Sequence, residues 1–255
     1  MNSLEVIALK GLPLIKAGDD LAGLIASALE RNDVEPQARD VLVVAQKIIS
    51  KAEGRMVDLA TIEPSAKART LAAETDKDPR LVEVILSESV RVVRAARRGV
   101  LIVEHRLGFI MANAGVDQSN VGPADGVHRV LLLPKDPDRS AATLRHDLAA
   151  LTGIDLAVVI NDSFGRPWRQ GTMGVAIGVA GLPALADLRG KPDLFGRTLE
   201  VSVVGFADEV AAAASLVMGQ ADEASPVVLI RGLRWSAPQS TAASIVRSPS
   251  EDLFR

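Results

Sequence analysis

The clearest buried strand in this sequence is Leu156-Ala157-Val158-Val159-Ile160, and it continues directly into Asn161-Asp162-Ser163-Phe164-Gly165-Arg166. An uninterrupted apolar run of this length is typical of a strand that is covered on both faces. A second such run, Val41-Leu42-Val43-Val44-Ala45, leads into Gln46 and Lys47. Asp162 therefore stands where a buried strand ends, a position that anchors a side chain on rigid backbone and opens it into a cleft.

The remaining elements surround these two strands without a regular alternation of strand and helix. Hydrophobic periodicity and turn residues predict further strands over residues 4–9, 90–93, 100–103, 109–111, 198–204 and 227–230. They predict helices over residues 21–31, 64–73, 79–86, 138–151 and 208–218. The sequence thus predicts an α+β fold with mixed or antiparallel sheets, in one domain over residues 1–245 followed by a tail over residues 246–255.

Composition limits the classes of function. The chain has 255 residues of which 48% are hydrophobic, enough for a sizeable core. With no Cys, disulfides and thiolate metal sites are excluded. A net charge of −3 and an aromatic content of 3% argue against nucleic acid as a partner. There is no signal-peptide pattern and no apolar run near the roughly 20 residues that span a bilayer, so we predict a cytoplasmic protein without a membrane partner.

Several common catalytic motifs are missing from the sequence. It contains no G-x-x-x-x-G-K-[ST], no G-x-G-x-x-G after a strand, no H-E-x-x-H and no G-x-S-x-G. Gly174 and Gly178 belong to a cluster of glycines that fits none of these patterns, and we predict that they allow close backbone packing. A zinc site or a serine hydrolase is therefore poorly supported.

Oxygen-bearing side chains are the best candidates for chemistry. Asp162, Ser163 and Asp117 offer carboxylate and hydroxyl oxygens, which suit Mg²⁺ or Mn²⁺. The alternative stays open, because Asp after a strand is often only a turn former or a helix cap. Arg166 could bind a phosphate or carboxylate, or form a surface salt bridge. Lys47 and Lys51 follow a buried strand, where lysines either bind phosphate or remain solvated.

Nine segments, taken together and in order, resemble the coenzyme F420-0:L-glutamate ligase family. They are Gly11-Leu12-Pro13-Leu14-Ile15, Ile49-Ser50-Lys51-Ala52-Glu53-Gly54-Arg55, Asn113-Ala114-Gly115-Val116-Asp117-Gln118-Ser119-Asn120, Asp162-Ser163-Phe164-Gly165-Arg166, Ala176-Ile177-Gly178-Val179-Ala180-Gly181, Asp193-Leu194-Phe195-Gly196-Arg197, Asp208-Glu209, Met218-Gly219 and Val228-Leu229-Ile230-Arg231-Gly232-Leu233.

The resemblance implies a GTP-dependent ligase that requires a divalent metal and adds L-glutamate to the acidic tail of a deazaflavin coenzyme. It implies an α+β, intertwined homodimer in the single-domain form, without the nitroreductase-like extension of some members. By motif, the nucleotide would contact Leu12, Pro13, Leu14, Ile15, Gln46, Lys47, Lys51 and Asn120. The two metal ions, Mg²⁺ or Mn²⁺, would bind Asp117, Asp162, Ser163 and Gln220.

Two departures bear on the predicted metal site. Ser163 stands where members often carry Thr, which keeps the hydroxyl. Gln220 stands where some members carry Glu, which removes one negative charge from the site.

The expected chemistry is activation of a carboxylate as an acyl phosphate, with Asp117, Asp162 and Arg166 as the catalytic residues. No residue is an obvious general base for the incoming amine. Two rival functions remain: a metal-dependent phosphoryl-transfer enzyme or hydrolase on another substrate, and a non-catalytic GTP-binding protein.

Overall fold

The computed structural model describes residues 3–122 and 125–252, so the first two residues of the predicted domain and the last three of the predicted tail lie outside the described residues. The strands are β1 (Glu5–Ala8), β2 (Val41–Ala45), β3 (Met56–Asp58), β4 (Ser89–Ala96), β5 (Val100–His105), β6 (Ile110–Ala112), β7 (Arg129–Leu131), β8 (Ala157–Arg166), β9 (Arg169–Ala180), β10 (Ala186–Asp187), β11 (Val203–Val204) and β12 (Val227–Arg231). The helices are α1 (Leu21–Arg31), α2 (Gln46–Ala52), α3 (Ala66–Thr75), α4 (Pro79–Ser87), α5 (Pro137–Thr152) and α6 (Phe206–Met218), with short 3₁₀ turns at Leu59–Thr61, Asn113–Gly115 and Ala242–Ile245.

A five-stranded sheet in the order β1-β12-β2-β8-β9 forms the centre of the fold. Only β2 and β8 pair in parallel within this sheet, and their register places Ala45 opposite Asn161. The two apolar runs of the sequence are thus neighbours, and their polar continuations begin at the same end of the pair. The predicted α+β class with mixed sheets is confirmed.

Alternate residues of the central strands serve two separate cores. Leu42, Val44, Val158 and Ile160 face the helices α1 and α5. Val43, Val159 and their neighbours face α6 on the other side. Because both faces are covered, these strands are apolar throughout, as the sequence predicts.

A smaller region is built from the sheet β4-β5-β6 and the helices α3 and α4, around a third core that includes Val82, Ile85 and Leu101. Its last strand, β6, continues through a 3₁₀ turn to Asp117. Asp117 then forms an isolated antiparallel bridge with Leu131 of β7. This connection carries Asp117 from the smaller region to the edge of the central sheet.

Local sequence explains where most helices begin. Asp20 caps α1 by accepting a hydrogen bond from the Gly23 amide, which is the usual role of Asp just before a helix. Ser65 caps α3 in the same way, and Pro79 occupies the first turn of α4. The helices predicted from these signals are confirmed.

Two predictions about strands need correction. Residues 198–204 alternate like a strand, but the structure forms only a two-residue strand at Val203–Val204 and an isolated bridge from Thr198 to Pro192, and Val201 is 86% exposed. Alternation without a covered face does not make a strand. The strand predicted at residues 156–160 continues to Arg166, because β9 pairs with it along a long hairpin.

The predicted close packing at Gly174 and Gly178 is confirmed. A Cβ at position 174 would collide with Ser215 and the Ala211 carbonyl of α6. A Cβ at position 178 would collide with the Pro137 carbonyl of α5. These glycines let one helix approach β9 from each face. No helix of the described residues is long and apolar enough to cross a membrane.

Candidate active site

Two carboxylates from distant parts of the chain meet at the edge of the central sheet. Asp162 lies on β8, and Asp117 lies in the segment after β6. Burial and the negative charge of Asp117 raise the pKa of Asp162 to about 7, although the Ser163 amide donates to its Oδ1 at 2.8 Å. Burial also raises the pKa of Asp117, against the effects of Lys47 and Gln46. Like charges held together in this way favour a bound cation or proton.

Gln46 positions Asp117 from the first residue of α2. It is 1% exposed, and its Nε2 donates to Asp117 Oδ2 at 2.8 Å. The Ser50 hydroxyl, one turn later, donates to Gln46 Oε1 at 2.9 Å. This second bond fixes which end of the amide faces the carboxylate, since the acceptor oxygen is already engaged. Ser50 is not among the residues predicted for the site, although its spacing of four residues from Gln46 would place it on the same helical face.

Two lysines on α2 hold the loop that follows Asp117. Lys47 Nζ lies 3.5 Å from Asp117 Oδ2 and donates to the Ser119 carbonyl and hydroxyl. Lys51 Nζ donates to the Asn120 carbonyl at 2.7 Å. Burial, and secondly the positive charge of Lys47, lower the pKa of Lys51. Lys47 therefore lies beside the carboxylates, and Lys51 lies close enough to Lys47 for the two ammonium groups to repel each other and to attract an anion.

Asn120 joins this loop to the segment after α6. Its Nδ2 donates to the Ala221 carbonyl at 2.8 Å, and its backbone has a φ of 57°. Asn is one of the few residues that adopt this left-handed conformation readily. The neighbouring Gln220 accepts a hydrogen bond from the Ser163 hydroxyl at 2.8 Å. The structure thus brings Gln220 to the segment that carries Asp162.

The donor set fits a hard divalent cation. Asp117 and Asp162 supply carboxylate oxygens, Ser163 a hydroxyl and Gln220 an amide oxygen, which are the ligand types that Mg²⁺ and Mn²⁺ accept. Within residues 3–122 and 125–252, no group of three or more His, Asp or Glu side chains forms a ready-made metal cluster. With only two carboxylates at this place, a metal would need further oxygens from water or substrate.

The other predicted site residues lie around this centre. Leu12, Pro13, Leu14 and Ile15 belong to the loop before α1, which lies beside α2. Near the end of this loop, the Gly18 amide donates to the carbonyl of Ala52, the neighbour of Lys51, at 2.9 Å. Ile15 is buried and Leu14 is 88% exposed.

Arg166 lies at the far end of β8, with its Nη2 3.5 Å from the Gln170 carbonyl. The structure does not bring it to Asp117 or Asp162, so its catalytic role remains a prediction.

Asn161 differs in role from its neighbour Asp162. Its side chain points to the opposite face of the sheet, where Nδ2 donates to Ser215 Oγ at 3.2 Å. Its buried Oδ1 has no hydrogen-bond partner. Asn161 therefore supports the packing of β8 against α6 and does not join the carboxylates.

Known proteins resemble the chain over the whole of this site. A family profile described as F420-0:Gamma-glutamyl ligase matches residues 11–232. A protein of Methanopyrus kandleri, named coenzyme F420:L-glutamate ligase, is 48% identical over 263 residues, which cover 100% of each chain. Like-named proteins of Methanothermobacter thermautotrophicus and Archaeoglobus fulgidus are 47% and 43% identical, covering 99% of this chain and 99% and 96% of theirs. The matched range includes every residue from Leu12 to Gln220.

Proposed function

The chain belongs to the F420-0:gamma-glutamyl ligase family, and on that premise we propose that it is a GTP-dependent, divalent-metal-dependent ligase that joins L-glutamate to coenzyme F420-0. The observation that carries the proposal is the meeting of Asp117 and Asp162 beside the ammonium group of Lys47, with Lys51 next to Lys47 on the same helix. Transfer of a phosphoryl group needs positive charge and metal-binding oxygens in one place, and these side chains supply both.

The proposed metal ligands are Asp117, Asp162, Ser163 and Gln220, for Mg²⁺ or Mn²⁺, with two ions expected. A bound divalent ion would neutralise negative charge on the transferring phosphoryl group. In its absence the two carboxylates repel each other, which is the strain that a cation would relieve.

For the nucleotide, we assign Lys47 and Lys51 to the phosphates and Asn120 and Gln46 to the ordering of the adjoining loop. The segment from Leu12 to Ile15 is proposed to line the guanine. Both lysines now donate to backbone carbonyls of the loop at 119–120, and a phosphate would offer them stronger, charged acceptors.

The proposed reaction has two steps. A carboxylate oxygen of the coenzyme, a deazaflavin with an acidic tail, attacks the γ-phosphorus of GTP, forming an acyl phosphate and releasing GDP. The amine of glutamate then attacks the acyl carbon, an amide bond forms, and inorganic phosphate leaves with the electrons of the broken C–O bond. The amine must lose a proton, and we assign no residue to accept it. Arg166 is proposed to hold a substrate carboxylate.

One assay separates this function from its rivals. The protein is incubated with F420-0, GTP, Mn²⁺ and L-glutamate, and product mass and phosphate release are followed, with a parallel reaction lacking glutamate. The ligase predicts a mass gain of one or more glutamyl residues and phosphate release that requires glutamate and coenzyme together. Phosphate release without either substrate would favour a hydrolase or another phosphoryl-transfer enzyme. GTP binding without turnover would favour a non-catalytic binding protein.

We also propose that the protein acts as a homodimer on small molecules in the cytoplasm. Two hairpins carry large apolar side chains that are nearly fully exposed: Trp168 is 90%, Leu194 98% and Phe195 95% exposed. Exposed apolar groups of this size are typical of surfaces that associate. Light scattering on the purified protein should give twice the mass of one chain, and a monomer at micromolar concentration would contradict the proposal.

A further inference from the structure

An apolar slot of about 230 Å³ opens close to the carboxylates. Its apolar lining includes Phe109, Phe164, Val175, Ile245 and Val246, and the charged side chains Arg247 and Asp252 also lie at its wall. Its volume is below the roughly 300–1,000 Å³ of sites that enclose a whole drug-sized ligand. The slot therefore suits one part of a larger molecule.

The register of the central sheet connects this slot to the site. Val175 on β9 is the direct cross-strand partner of Asp162 on β8, and such partners point to the same face with Cβ atoms about 5 Å apart. Phe164 follows Asp162 by two residues on that face, about 7 Å further along the strand. The slot thus begins directly beside the carboxylate.

The two aromatic rings come from the same segments as the two carboxylates. Phe109 precedes β6, which leads to Asp117, and Phe164 follows Asp162 on β8. The rings meet edge to face, with centroids 5.8 Å apart and planes at 75°. One pair of segments therefore presents a polar, acidic end and an apolar, aromatic end to a single bound molecule.

We propose that this slot receives the flat deazaflavin ring of the coenzyme and so directs its acidic tail toward Asp117 and Asp162. The assignment rests on the proposed function, because only that function supplies a substrate with an aromatic ring at one end and a reacting carboxylate at the other. Aromatic and branched aliphatic walls stabilise a flat heterocycle by stacking and burial. Arg247 and Asp252 place one charge of each sign at the wall of the slot, so the assignment rests on its apolar and aromatic walls.

The test compares two slot variants with a matched aromatic control. Phe164→Ala removes a stacking ring, and Val246→Phe fills the slot from the wall formed by the C-terminal segment. Phe206→Ala is the control, because Phe206 pairs with Trp235 in the core on the other face of the sheet, with centroids 6.1 Å apart. Melting curves check that each variant folds. If Phe164→Ala does not fold, Val246→Phe alone tests the assignment.

Both slot variants should raise the KM for F420-0 by about tenfold. They should raise the dissociation constant for F420-0, titrated without GTP, by a similar factor of about ten. The KM values for GTP and for glutamate should stay within about twofold of wild type. Phe206→Ala should leave all of these constants unchanged. Unchanged constants for F420-0 in the slot variants, or a rise in KM for GTP instead, would overturn the assignment. A wild-type protein that adds no glutamate would refute the proposed function itself, and the titration of F420-0 would still decide whether the slot binds the ring.

Discussion

Glu88 is the carboxylate whose removal should change stability most clearly. It follows α4, and its side chain is 12% exposed. Its Oε2 accepts hydrogen bonds from Arg55 at 2.9 Å and from Arg106 at 3.0 Å, while His105 Nε2 lies 3.6 Å away. Arg55 also donates to the Leu133 carbonyl at 2.9 Å, so this cluster ties the smaller region to the segment after β7. Glu88→Gln keeps the shape of the side chain and removes its charge.

The pKa of Glu88 gives the magnitude. Burial alone would raise it, but His105, Arg106 and Arg55 together hold the pKa at about 2, below the ordinary 4.5. A shift of that size corresponds to about 3 kcal/mol of stability at pH 7, and we expect about 2 kcal/mol after allowing for water around Arg106. Because the pKa is lowered on folding, this stability is present above pH 4.5 and is lost as the pH falls toward 2. At pH 4, about 0.8 kcal/mol of it should already be gone.

Urea denaturation, followed by tryptophan fluorescence at pH 7 and pH 4, measures both numbers. Glu88→Gln should be less stable than wild type by about 2 kcal/mol at pH 7, and the difference should shrink by about 0.8 kcal/mol at pH 4. Glu63→Gln is the control, because Glu63 pairs with Arg69 at 2.7 Å while 90% exposed, and such pairs contribute little. A Glu88 effect as small as that of Glu63, or one that does not change with pH, would refute the reasoning.

Three further substitutions test the packing and the site. Gly174→Val should lower the free energy of unfolding by about 1–3 kcal/mol, because the new side chain collides with α6. Gly165→Ala is the control: a Cβ at position 165 would have no atom within 4 Å, so the melting temperature should be nearly unchanged. Gln46→Leu removes the hydrogen bond that orients Asp117 and should weaken Mn²⁺ binding by about tenfold or more, as measured by calorimetry; unchanged affinity would contradict this role. Lys51→Met should raise the KM for GTP by about tenfold with little change in the KM for glutamate, as measured by steady-state kinetics. Equal changes in both KM values would show that Lys51 has a purely structural role.

Local patterns in the sequence identify the elements with strong signals. The two fully apolar strands, and the helices that begin at Asp20, Ser65 and Pro79, lie where capping residues and periodicity predict them. The helix α2 was not predicted, because it follows β2 without a break and its polar residues fit a loop as well as a helix. The strand β9 was not predicted because its glycines weaken any strand signal, and the approach of α6 and α5 explains Gly174 and Gly178.

The site depends on contacts that local sequence does not encode. Asp117 and Asp162 meet only because β6 leads back to the edge of the central sheet. From spacing alone, each aspartate could have been either a turn former or a functional residue. The family resemblance paired them, and the electrostatic consequence appears at Asp162, whose pKa is raised by burial and by the negative charge of Asp117. The roles of Ser50 and of the two phenylalanines emerged only from side-chain packing.

The most direct measurement of the central claim is the mass of the coenzyme product formed by wild type and by Asp162→Ala, across a titration of Mn²⁺ with GTP and glutamate present. Wild type should add glutamate in proportion to metal occupancy. Asp162→Ala should lose activity by about 10²-fold or more while keeping its melting temperature, because this partly exposed carboxylate within β8 accepts its hydrogen bond from the amide of its own neighbour, Ser163. Full glutamate addition by Asp162→Ala, or addition by wild type that does not depend on metal, would contradict the account.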